Sequence, residues 1–129
     1  MTINKFQSIN LGPLPVSKVN AYLGLNLIDG DVRFKSIAQA HAFERHPNDF
    51  ELCLVHIQRI ISQPDFIGRG PNQTEGFEMI GKVSDNDQHI LVAVTLRLDN
   101  DGFYNVASTY RIDTYSVRRR IRKGFLSEL

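Results

Sequence analysis

The period of the apolar residues changes once along this chain, from 3.6 to 2 at Phe66, and that change divides it into a helical part and a strand part. Ahead of the switch, Phe50, Cys53, Leu54, Ile57 and Ile61 recur at helical spacing, in a helix that runs to about Ser62 with Pro64 just past its end. Behind it, alternation predicts strands near 65–69, 76–84, 89–98 and 103–112. Turn-forming residues fill the joints Asp85-Asn86-Asp87-Gln88 and Asp99-Asn100-Asp101-Gly102, so the strands should form an antiparallel meander. The expected fold is α+β: N-terminal helices packed on one face of a four-stranded antiparallel meander sheet, followed by a short basic helix from about Tyr115 to Lys123 that Gly124 stops.

A chain of 129 residues suits one domain, 1–129, here divided into a variable N-terminal segment at 1–35 and a core at 36–125. The first segment carries mixed signals: Gly12-Pro13-Leu14-Pro15 breaks the chain, Val16 to Leu23 suits a short helix, and Asp29-Gly30 looks like a turn. Ser36 and Gln39 then form a capping box that opens a helix through His46, which Pro47 cannot continue, and Asn48 with Glu51 repeats the device.

If the two four-residue loops close hairpins, Val83 pairs with Ile90 and Leu98 with Phe103, and alternation assigns every side chain to a face. Phe77, Met79, Gly81, Val83, Ile90, Val92, Val94, Leu96, Phe103, Asn105, Ala107 and Thr109 make the core face. The other face carries Glu78, Ile80, Lys82, Leu91, Ala93, Thr95, Arg97, Tyr104, Val106, Ser108 and Tyr110. On it Lys82, Leu91 and Tyr110 fall in one row and Ile80, Ala93 and Ser108 in the next, so small residues leave a trough between functional groups. The same pattern also describes an ordinary solvated sheet face.

Charge alone identifies no partner, because the formal net charge is +1. Its distribution says more: Arg118, Arg119, Arg120, Arg122 and Lys123 are five of the fifteen basic residues, whereas residues 1–117 hold ten basic against thirteen acidic. Such a block can neutralise phosphates, or it can be the solvated face of a terminal helix. The single Cys53 excludes an internal disulfide and a cysteine-based zinc site, and it fits an apolar helix as a small core residue. No apolar run approaches a membrane span, so the expectation is action without a membrane partner in an aqueous compartment, most simply the cytoplasm. No cofactor is implied.

His41 and Arg45 share a helix face, while His46 would lie about 140° round from His41, so the two histidines are not an i, i+4 metal clamp. His46, at a helix C-terminus, would feel a dipole that favours its cationic form, which suits an acid or a phosphate partner; equally, it would cap the last carbonyls. His56 and His89 look like surface residues.

Four segments, HAFERHP at 41–47, QPDFIG at 63–68, ILVAVTL at 90–96 and VASTY at 106–110, together give the chain a resemblance over residues 36–125 to the barnase/EndoU/colicin/RelE nuclease superfamily, in particular its phage-associated branch. The resemblance implies a metal-independent ribonuclease in which a 2′-hydroxyl attacks the adjacent phosphate to leave a cyclic phosphate. Such chemistry needs a base, an acid and cationic stabilisation of the phosphorane. By position, His41 and His46 match the family's helix-borne histidine region, and Ser108, Thr109 and Tyr110 its C-terminal strand motif. The implied assignment is His41 or His46 as base or acid, Lys82 and Arg97 for phosphate charge, and Ser108 and Tyr110 for orienting the scissile group. Arg45, Thr95, Tyr104, Thr109 and the block Arg118, Arg119, Arg120, Arg122 and Lys123 would contact substrate.

Two function classes follow. The first is a small ribonuclease, a toxin or effector domain delivered by a secreted or phage-borne protein, aimed at tRNA or another structured RNA and held by a cognate immunity protein. The second is a catalytically silent module on the same scaffold that binds nucleic acid or protein.

Overall fold

Residues 76 to 113 fold as the two consecutive hairpins their alternation predicts, β4 (Gly76–Lys82), β5 (Gln88–Thr95) and β6 (Phe103–Asp113). Our computed structural model describes residues 6–83 and 87–129, so part of the expected turn at 85–88 and the end of the strand expected at 76–84 lie outside the described residues. Between β5 and β6 the expected register holds, with Leu91 opposite Tyr110 and Ala93 opposite Ser108. Between β4 and β5 it differs by two residues: Gly81, not Val83, faces Ile90. A slip of two preserves the faces, because side chains alternate with period 2.

A β-bulge does exchange them. Val94 faces Val106 rather than Ala107, which makes Ala107 the extra residue of β6. Below it the expected assignment inverts: Tyr104 and Val106 are buried in the core, while Phe103 and Asn105 are only half-buried.

The meander is the middle of a larger object. Seven strands form a mixed sheet in the order β1-β2-β6-β5-β4-β3-β7, which corrects the expected four-stranded antiparallel sheet. β1 (Ile9–Pro13) runs antiparallel to β2 (Asp31–Phe34), and β2 runs parallel to the start of β6, with Val32 opposite Tyr104. On the other flank β3 (Phe66–Gly68) lies between β4 and β7 (Leu126–Glu128). Gly68 is required there, because a Cβ would meet the Phe125 carbonyl oxygen.

The N-terminal residues contribute α1 (Val16–Leu23) and the buried side chains Leu11, Leu14, Val19, Val32 and Phe34. α2 (Ser36–Arg45) and α3 (Phe50–Ser62) follow where the periodicity places them, but neither expected capping box forms. The buried Gln39 amide donates instead to the carbonyls of Gln7 and Phe34 at 2.6 and 2.9 Å, tying α2 to the N-terminal segment. Phe50, Cys53, Ile57, Ile60 and Ile61 of α3 pack on Phe77, Met79, Ile90 and Val92 to make the main core.

The second face, expected as an open trough, is partly roofed. α4 (Thr114–Arg122) starts at Asp113, whose carboxylate accepts from the Ser116 amide at 2.7 Å, and it lays Val117 over Phe66, Ile80, Leu91 and Leu126. No helix of the described residues is long and apolar enough to cross a membrane.

Asp99 pins the start of β6. Its carboxylate accepts from the Asn105 side chain at 2.8 Å, the amides of Asp101 and Phe103 at 2.9 and 3.0 Å, and Arg33 at 2.7 Å; the Arg33 guanidinium lies 4.4 Å from the Phe103 ring centre. These donors, Asn105 foremost, hold the Asp99 carboxyl far below the usual range. A depressed folded value stabilises the fold above the unfolded carboxylate value of about 3.9 and is lost as pH falls through the folded one. Asp99→Asn should therefore lower Tm clearly at pH 7 and progressively less below about pH 4. Parallel thermal melts of wild type and variant at pH 7 and pH 3 check this; an equal gap at both would refute it.

Candidate active site

β2 pairs with β6 only at residues 103–105, so the outer edge of β6 beyond Asn105 faces no strand among the described residues, and α2 packs along it instead. A strand and a helix cannot close their surfaces on each other as two strands do, and a cleft of about 630 Å³ remains between them. Ile37, His41, Arg45 and His46 line it from the α2 side, and Ala107, Ser108, Thr109 and Tyr110 from β6.

The structure thus brings together His41, Arg45, His46, Ser108 and Tyr110. The angle that separates the two histidines on an ideal helix does not apply, because α2 ends at His46, whose φ of −136° is not helical, and its ring lies toward β6. There it stacks on Tyr110, with ring centres 4.9 Å apart and 26° between the planes.

The corner that carries His46 is tied down by Asp49. One carboxylate oxygen accepts from Arg111 Nε at 2.8 Å and the other from the Arg111 backbone amide at 3.2 Å; His46 Nδ1 lies 4.0 Å from that second oxygen. Neither Asp49 nor Arg111 stands out in the sequence, since they are 62 residues apart and each is of a common surface type. The Arg111 amide points away from β5, so alternation turns the Thr109 amide to the same outer edge, facing the cleft. Burial, with a smaller contribution from Glu78, pushes the Tyr110 phenol above its ordinary value, so it remains a protonated donor at neutral pH.

Other expected site residues lie elsewhere. Lys82 sits beyond the far side of α4, in a separate depression with Phe66, His89, Arg118 and Glu128. Tyr104 is buried and donates its hydroxyl to the Ile28 carbonyl at 2.7 Å. The Thr95 hydroxyl accepts from the Asn105 amide at 3.0 Å, and Arg97 is exposed just past the end of β5. Thr109 lines the cleft, but its side chain is buried beside Cys53. The cations of α4 stand off the cleft. His89, expected at the surface, is buried, and desolvation lowers its pKa; His56 is half-buried. Among the described residues no cluster of His, Cys, Asp and Glu could hold a metal ion.

A protein family described as "phage-Barnase-EndoU-ColicinE5/D-RelE like nuclease3" matches residues 11–118. No curated protein and no solved structure matches.

Asp49→Ala removes a charged acceptor from a partly exposed pair and leaves the Arg111 amide without its partner. We expect a loss of about 1 kcal/mol in urea denaturation. The His46 ring protons should also move downfield in proton NMR as the stack on Tyr110 loosens; unchanged resonances would show that Asp49 does not position His46.

Proposed function

Because the chain belongs to the phage-Barnase-EndoU-ColicinE5/D-RelE like nuclease family, we propose that the cleft between α2 and β6 cleaves RNA by attack of a 2′-hydroxyl on the adjacent phosphate. The observation that carries this reading is that two imidazoles, a guanidinium and three hydroxyl-bearing residues, drawn from elements more than sixty residues apart, line one cleft of nucleotide size. These groups can supply a base, an acid and a charge partner for the phosphorane without help from another group.

One histidine takes the proton of the 2′-hydroxyl as its oxygen bonds to phosphorus. The bond from phosphorus to the 5′-oxygen breaks, and the other histidine protonates that leaving oxygen, giving a 2′,3′-cyclic phosphate. Arg45 and the edge amide of Thr109 face the phosphate oxygens, while Ser108 and the protonated Tyr110 orient the scissile group. Stacking on Tyr110 fixes the plane of the His46 ring, so its proton transfer is directed rather than averaged over rotamers. A toxin or effector role with a cognate immunity protein follows from the same reading, since such an enzyme endangers the RNA of the cell that makes it.

The test is digestion of total tRNA in excess EDTA, with end-group analysis. Wild type should give discrete fragments with cyclic-phosphate ends and a bell-shaped pH profile. His46→Ala should lower the rate by about 10²–10⁴-fold and remove one limb of the bell. Tyr110→Phe, which keeps the stack, should retain more activity than Tyr110→Ala. RNA left intact by the wild type, with binding retained at low salt, would instead show a silent binding module.

A further inference from the structure

The row of the sheet that starts at Ser108 continues across the second face through Ala93 on β5 to Glu78 on β4. At the usual strand spacing it is about 10 Å long. Its middle is a methyl group, and Ala107, the exposed extra residue of the bulge, lies at its near end. α4 covers Ile80 and Leu91 in the next row but leaves this one only half-buried.

The surface depressions follow the same line. Ala107 lines both the cleft and a depression against the loop at 72–76; Asn72 and Gln73 line both that depression and the next one, under the last turn of α4. Their shared lining residues set the three end to end, and we take them as one trough. Its outer wall is braced: Arg69 Nε donates to the Gln73 carbonyl at 2.7 Å, and Gln73 Oε1 accepts from the Gly70 amide at 2.6 Å, which leaves the Gln73 side-chain NH₂ free to donate.

α4 divides the basic block between two directions. Arg119, Arg120 and Lys123 border the far end of the trough, whereas Arg118 and Arg122 accompany Tyr115 and Ile121 on the opposite flank. Glu78 pairs with Arg120, at 3.4 Å. Arg119 and Lys123 form no ion pair among the described residues, although the Asp113 carboxylate acts on Arg119 from beyond ion-pair distance, so two cations without a direct partner stand where the trough ends.

We propose that this trough holds an unpaired stretch of the RNA strand flanking the cut bond, with Arg119 and Lys123 each taking a phosphate and Arg118 and Arg122 taking none. The proposal rests on the nuclease reading of the cleft. It follows from the shape and the charge together: bases can lie on Ala93 and Ala107, between walls that keep a second strand out, while the backbone reaches the two cations.

The test uses the full chain and a fluorescent 2′-O-methyl hexanucleotide, which lacks the attacking hydroxyl and cannot be cut. Anisotropy titrations over a salt series give the slope of log K against log salt. For Arg119→Ala/Lys123→Ala the slope should become shallower by about 1.4, two lost single-strand phosphate contacts, while Arg118→Ala/Arg122→Ala keeps the wild-type slope. Equal changes in both pairs, no change in either, or equal affinity for a duplex of the same sequence would each overturn the trough. In parallel, wild type should cut a hexanucleotide with a higher kcat/KM than a dinucleotide, and Arg119→Ala/Lys123→Ala should bring that ratio toward one. If wild type cuts neither substrate but the slopes differ as expected, the trough stands and the catalytic reading of the cleft falls.

Discussion

The cleft between α2 and β6 depends on a mismatch of length. β6 has eleven residues, but β2 pairs with only its first three, so among the described residues most of one edge of a central strand is left without a partner strand. An edge cannot be buried with its backbone groups unpaired, and it cannot be left bare without inviting another chain. Here α2 runs along it and the Asp49 carboxylate accepts one of its amides. A helix against a strand edge packs less closely than strand against strand, and the space between them is the cleft.

The bulge at Ala107 lies just past the point where β2 stops. Below it, β6 must bury Tyr104 and Val106 against the helical core; above it, Ser108 and Tyr110 must face the other way. A regular strand cannot do both with this order of residues, and one extra residue reverses the alternation. The two ends of β6 are then held by carboxylates, Asp99 from the loop just before its start and Asp49 from a distant part of the chain near its end. Tyr110 thus lies between the His46 ring on one side and the charges of Glu78 and Arg120 on the other, in surroundings dry enough to keep its proton.

α4 has two functions in the structure. Val117 closes a second, smaller core on the face that the first core leaves bare, and the helix becomes a wall between the depression at Lys82 and the trough that leads from the cleft. A block of five cations that is continuous in sequence is therefore not one surface, because successive helical residues point in directions 100° apart.

The sequence by itself determined whatever depends on near neighbours: the hairpins of β4, β5 and β6, the register that sets Ser108 beside Ala93 and Tyr110 beside Leu91, the spans of α1, α3 and α4, and the grouping of His41 with Arg45. These rest on periodicity and local turns, in which each residue's partner lies within a few positions along the chain or across one loop. The tertiary structure alone decided the rest. β1, β2 and β7 are three to five residues long and become strands only because another strand is there to pair with them. Gln39 gave up a local cap for two carbonyls that the fold brought within reach, and His46 joined His41 because the helix ended at it. The bulge was invisible because alternation over 103–112 reads plausibly in either phase, and only the demand to bury Tyr104 beside Val32 settles which side each residue takes. Lys82 shares a face with Tyr110, as alternation requires, yet α4 stands between it and the cleft, and no pattern along the strands records what a later helix will cover.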